Sequence, residues 1–148
     1  MHAQLGAVVL LAALSGGTRE TTVYDDYRQA YLAARAAKLP VLVILNPGAQ
    51  EEQSAVDLDT LRRTAQRRSL LGNYVVAVID VSTPDGKKVH ELFNSPPLPR
   101  VSVLDRHQKW QIYRTSKLLS PEDWNLLLDR HQKGEPPVIA PPQGQCLT

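Results

Sequence analysis

Val41-Leu42-Val43-Ile44-Leu45, closed by Asn46-Pro47-Gly48, is the stretch on which the fold turns. Five aliphatic residues in a row offer no polar face to water, and such a strand belongs in a sheet covered on both sides, as parallel sheets are. Upstream, Tyr24, Tyr27, Ala30, Tyr31, Ala34 and Ala37 recur at helical spacing, which predicts an amphipathic helix over Val23 to Lys38, opening after Thr21-Thr22 and stopped by Pro40. Downstream, Val56, Leu58, Leu61, Ala65 and Leu70 predict a second helix from about Ser54 to Leu71, with Gly72-Asn73 as its stop signal. Tyr74 to Val81 is again rich in β-branched residues. Strand, helix and strand in that order need a crossover, so the two strands are expected to pair in parallel.

Beyond this unit, Pro84-Asp85-Gly86 predicts a turn and Lys87 to Phe93 a short helix. Ser95-Pro96-Pro97-Leu98-Pro99 then excludes regular pairing, because proline has no amide to donate. Arg100 to Leu104, a polar turn over Asp105 to Lys109, and Trp110 to Arg114 predict an antiparallel hairpin. Ser120-Pro121-Glu122-Asp123 is a helix start: Ser caps, Pro takes the first helical position, and the acids face the positive end of the dipole. Leu126, Leu127 and Leu128 supply that helix with its apolar residues, and Gly134 closes it. The pentapeptide Asp105-Arg106-His107-Gln108-Lys109 recurs at Asp129 to Lys133. One copy falls in a predicted turn and the other at a helix end, so it does not mark a structural repeat.

The 148 residues, 43% of them hydrophobic, suit one domain with a core of ordinary size. With 17 basic and 15 acidic residues interspersed, there is no broad positive footprint for nucleic acid. Arg62, Arg63, Arg67 and Arg68 are the one local concentration, and they are expected to form a solvated helix face. Leu5 to Leu14 is an apolar run of signal-peptide length, too short to span a bilayer, with cleavage expected after Ser15 and Gly17 as the competing site. No Lys or Arg precedes it, and a buried first strand or helix is the alternative. The organisation expected is therefore a signal peptide over 1–17, a folded domain over 22–134 and a proline-rich flexible tail over 135–148. Export to the periplasm or the exterior follows if the signal is used, and a cytoplasmic protein if it is not.

The order of helix, strand, helix, strand, helix, proline-rich loop, hairpin and helix resembles the thioredoxin-like family over about Val23 to Gly134. It is most similar to the exported bacterial members. The resemblance implies an α/β fold: a central mixed sheet of four to five strands with helices on both faces, ending in a β-hairpin and a helix. In the family a cis proline precedes the fourth strand and faces the redox motif, and Pro99, within Leu98-Pro99-Arg100-Val101, matches that position. The redox cysteines would fall at Gln50 and Gln53, with Glu51 and Glu52 between them. Disulfide exchange requires thiolate attack on sulfur, so this loop cannot perform it. In the first turn of a helix, Glu51 and Glu52 would each gain about 0.3–1 kcal/mol from the dipole, a structural use of the acids.

The resemblance thus implies a binding module in which Gln50, Glu51, Glu52, Gln53, Leu98, Pro99 and Arg100 line a groove for an extended peptide or protein partner. An enzyme using Cys146 or the Glu51/Glu52 loop is a second reading, and an interaction protein dimerised through Cys146 a third. Cys146 is the one cysteine, so any disulfide it forms is intermolecular. His90, His107, His131 and Cys146 are scattered without ligand spacing, and neither a metal nor another cofactor is expected. Trp110 and Trp124 are expected in packing, or, if exposed, as a binding anchor.

Overall fold

The structure, a computed structural model, describes residues 21–48 and 55–136. The expected signal over 1–17, the loop residues Gln50 to Gln53 and the tail with Cys146 lie outside these residues. Ten elements follow in order: β1 (Val23–Tyr24), α1 (Tyr27–Ala37), β2 (Val41–Asn46), α2 (Leu58–Leu61), α3 (Ala65–Leu71), β3 (Val75–Asp80), α4 (Pro84–Leu92), β4 (Arg100–Leu104), β5 (Gln111–Thr115) and α5 (Pro121–Arg130).

The strands form one sheet in the order β1-β3-β2-β4-β5. β2 pairs in parallel with β3, Val41 opposite Val75 and Ile44 opposite Val78, as the crossover argument required. On its other side β2 pairs antiparallel with β4, Leu45 opposite Arg100 and Val41 opposite Leu104. β4 and β5 make the antiparallel hairpin, with a register shift at Val103/Leu104 that leaves one extra residue on β5.

Alternation along β2 explains why its whole run is aliphatic. Leu42 and Ile44 point to one face, where they meet Leu61 of α2, Leu71 of α3 and Trp124, Leu127 and Leu128 of α5. Val41, Val43 and Leu45 point to the other, against Ala30 and Ala34 of α1 and the half-buried Val89 and Phe93 beside them. All five are fully buried, and each such side chain contributes about 1.5–3 kcal/mol relative to exposure.

Four expectations are corrected. Val23–Tyr24 is a strand paired with Val76 and Ala77, not the first turn of a helix; α1 opens only at Tyr27, where the Asp26 carboxylate accepts from the Gln29 amide at 3.0 Å. The helix expected over 54–71 is two short helices, capped by Asp57 and by Thr64. Pro84-Asp85-Gly86 is the first turn of α4 rather than a free turn, because Thr83 caps it through the Gly86 amide at 3.0 Å. Arg67 is buried at 3% exposure rather than solvated: its Nη1 donates to the Thr60 carbonyl at 2.8 Å and its Nε to Thr64 Oγ1 at 3.3 Å. The break between α2 and α3 exposes carbonyl groups, and this guanidinium satisfies one of them. α5 carries the full capping box, Ser120 and Asp123 exchanging side-chain and backbone bonds.

Candidate functional site

The parallel and antiparallel partners of β2 bring three segments together at its C-terminal end. Asn46, the last residue of β2, stands opposite Asp80 of β3, and Leu45 stands opposite Arg100 of β4. The proline-rich segment before β4 therefore sits beside the point where the chain leaves the sheet. The Leu98–Pro99 peptide bond is cis. Pro99 is buried, Leu98 is half-buried and its side chain joins the core under α1, and Arg100 is half-buried. What Leu98 can offer a ligand is thus its backbone.

Two devices hold this corner. Asn46 uses its whole amide: Oδ1 accepts from the Val56 N–H at 2.8 Å, and Nδ2 donates to the Val56 carbonyl at 3.1 Å. A side chain on the sheet thereby joins two points ten residues apart in the chain. Gly48 lies tight against Ser82, since an added Cβ would come within 2.8 Å of the Ser82 Cβ. The second device is His90. A carbonyl oxygen can only accept, so Nε2 carries the proton that reaches the Pro96 oxygen at 2.8 Å. After α4 the chain turns through Asn94 (φ 67°) and Ser95 (φ 48°), both left-handed, and the Ser95 amide donates back to the His90 carbonyl at 2.9 Å.

Of the residues expected to form the groove, Leu98, Pro99 and Arg100 lie together at the edge of this corner. Gln50, Glu51, Glu52 and Gln53 fall between Asn46 and Val56 in the chain and lie outside the described residues. Among the described residues no cluster of three or more His, Cys, Asp or Glu side chains could hold a metal. None of the described helices is long and apolar enough to cross a membrane.

The sequence reading missed a second feature. Arg100 turns its side chain to the α1 side of the sheet, where it shares a cavity of about 590 Å³ with Lys109, Arg114 and the half-exposed Trp110. Burial, and then the charge of Arg114, hold the Arg100 guanidinium below its usual pKa.

A β1-β3-β2-β4-β5 sheet with helices on both faces and a proline loop before β4 is the thioredoxin-like arrangement, and the chain has that fold. It is similar to the solution structure of a thioredoxin from Thermus thermophilus, at 19% identity and a TM-score of 0.61, over 75% of this chain and 86% of that one. It is also similar to the crystal structure of Trxlp from Edwardsiella tarda, at 19% identity and a TM-score of 0.52, over 72% of this chain and 98% of that one. At such identities the likeness is one of fold. No family model matches the chain, and no curated protein matches it.

Proposed function

We propose that this protein is a thioredoxin-like module that binds an extended peptide or protein segment without redox chemistry, at the corner formed by the end of β2 and Leu98-Pro99-Arg100. The observation that carries the reading is the placement of Leu98-Pro99-Arg100 beside the end of β2, Leu45 standing opposite Arg100, in a chain whose one cysteine is Cys146. A dithiol cycle needs two sulfurs, whereas strand-like addition of a peptide needs only backbone donors and acceptors. Gln50 to Gln53 would form the opposite wall of the groove. The export reading of residues 1–17 goes with it, and the mass of the mature chain tests cleavage after Ser15 or Gly17.

Titration of the isotope-labelled protein with a library of extended peptides tests the binding. Shifts at the Leu98 and Arg100 amides are expected, and an unmoved pair across the library would overturn the reading. Insulin reduction with dithiothreitol separates it from a single-thiol enzyme. The parent and Cys146→Ala are expected to show equal, negligible rates, whereas a rate lost in Cys146→Ala would assign redox chemistry to the tail.

A further inference from the structure

We propose that the cavity beside β5 seats the carboxylates of an acidic, extended peptide segment of a partner protein. α1 packs over β1, β2 and β3, and α4 over β3, while the same face of β4 and β5 borders the 590 Å³ cavity. Three cations, Arg100, Lys109 and Arg114, line it, and among the described lining residues there is no carboxylate to neutralise them. Like charges gathered at one cavity repel, and an anion placed among them removes that cost.

Arg100 is the least solvated of the three. Its Nη1 donates to Ser116 Oγ at 3.2 Å, but its Nε is buried without a partner. A charged donor withdrawn from water and left unpaired is costly, and a carboxylate bound beside this guanidinium would offset that cost. The extended form of the ligand follows from the sheet. Among the described residues β5 is the edge strand on the β4 side of the sheet, as β1 is on the other, and it is open to an added strand along one side. On such a strand residues i and i+2 share a face, so two acids two positions apart would both meet the cations. Trp110, 51% exposed, and Leu92, 65% exposed, give the cavity an apolar rim for a neighbouring side chain.

The test is calorimetric and spectroscopic titration of the full chain with an acetylated hexapeptide of alternating glutamate and leucine. Its glutamine-for-glutamate copy and free citrate are run beside it. The glutamate peptide is expected to bind and to shift the Trp110 indole and the Arg114 amide, more weakly as salt is raised, while the glutamine copy does not bind. Arg114 and Lys109 are exposed, so Arg114→Gln and Lys109→Gln leave the core untouched, and each is expected to weaken binding about fivefold. Unchanged affinity in the double variant would overturn the proposal. So would citrate competing as well as the peptide, which would make the cavity a small-anion site, or a peptide that shifts Leu98 and leaves Trp110 unmoved. Leu98 reports the cis-proline corner and Trp110 this cavity, so the two sites fail or succeed separately.

Discussion

The clamp between Asn46 and Val56 ties the end of β2 to a point ten residues further along the chain, and removing it has a calculable effect. Asn46→Ala deletes two hydrogen bonds, at 2.8 and 3.1 Å, and leaves the Val56 amide and carbonyl to water. Each bond contributes about 1 kcal/mol net, so a loss of about 2 kcal/mol is expected. For a domain of this size that is roughly 8 °C in Tm, or about 1 M in the urea midpoint. The backbone bond from Val81 to the Asn46 carbonyl is unaffected, so β2 and β3 stay paired and the loss is local.

Asn46→Asp sharpens the test, because an ionised carboxylate can accept from the Val56 N–H but repels the Val56 carbonyl. The protonated acid restores a donor. That repulsion raises the folded-state pKa of the introduced group, so its stabilising form is present at low pH and is lost as pH rises through that value. Asn46→Asp should therefore approach the parent below about pH 4 and fall behind it near neutrality. Thermal melts across pH, with hydrogen exchange at Val56, measure both effects. A Tm within 1 °C of the parent for Asn46→Ala, or a pH-independent gap for Asn46→Asp, would refute the clamp.

Three further outcomes are expected. His90→Ala removes the donor to Pro96, and the loosened segment should move the Leu98 and Arg100 amide signals and weaken groove peptides about fivefold; unchanged spectra would remove His90 from the positioning of the corner. Gly86→Ala drives a Cβ into the Asp80 carbonyl at the start of α4 and should cost about 2–4 kcal/mol in urea unfolding, a loss that a variant of parental stability would disprove. The buried Tyr74 hydroxyl donates to the Leu128 carbonyl at 2.7 Å, and burial, then the charge of Asp129, push its pKa well above the usual value. The unfolded chain ionises this phenol near pH 10 and the folded one does not, so stability should fall above pH 10, and Tyr74→Phe should flatten that limb while losing about 1 kcal/mol at neutral pH.

The features legible in the sequence were those that local chemistry fixes. Val41 to Leu45 could only be a strand covered on both faces, and Ser120-Pro121-Glu122-Asp123 could only open a helix; both are so. The misread turn at Pro84 shows the same rule under-used. Thr83-Pro84-Asp85 has the Ser120-Pro121-Glu122 grammar, and the missing Cβ of Gly86 is what lets the Asp80 carbonyl approach. Arg67 and Asn46 were illegible for a different reason, since their partners exist only once the chain has folded. In a continuous helix over 54–71 the Thr60 carbonyl would face the amide of the next turn, and the break that turns it toward Arg67 is a tertiary fact.

The cationic cavity stands between these cases. Arg100, Lys109 and Arg114 belong to one hairpin, whose antiparallel register sets Ser102 opposite Arg114 and brings the end of β5 back beside Arg100, while Lys109 sits at the turn end and joins them only as part of the cavity lining. Hairpin plus charge therefore carried the signal. What the sequence could not show was the placement of α1 over β1, β2 and β3 and of α4 over β3, which leaves the cavity to open beside β4 and β5. The two candidate sites meet at Arg100, whose backbone borders the cis-proline corner while its side chain enters the cavity. A segment threading the corner and continuing along β5 would engage both sites, and with a short connection the second contact forms at high effective concentration. Peptides long enough to reach both should then bind more tightly than either fragment, by far more than the fivefold due to one cation. Equal affinity of long and short peptides would show the sites to be independent.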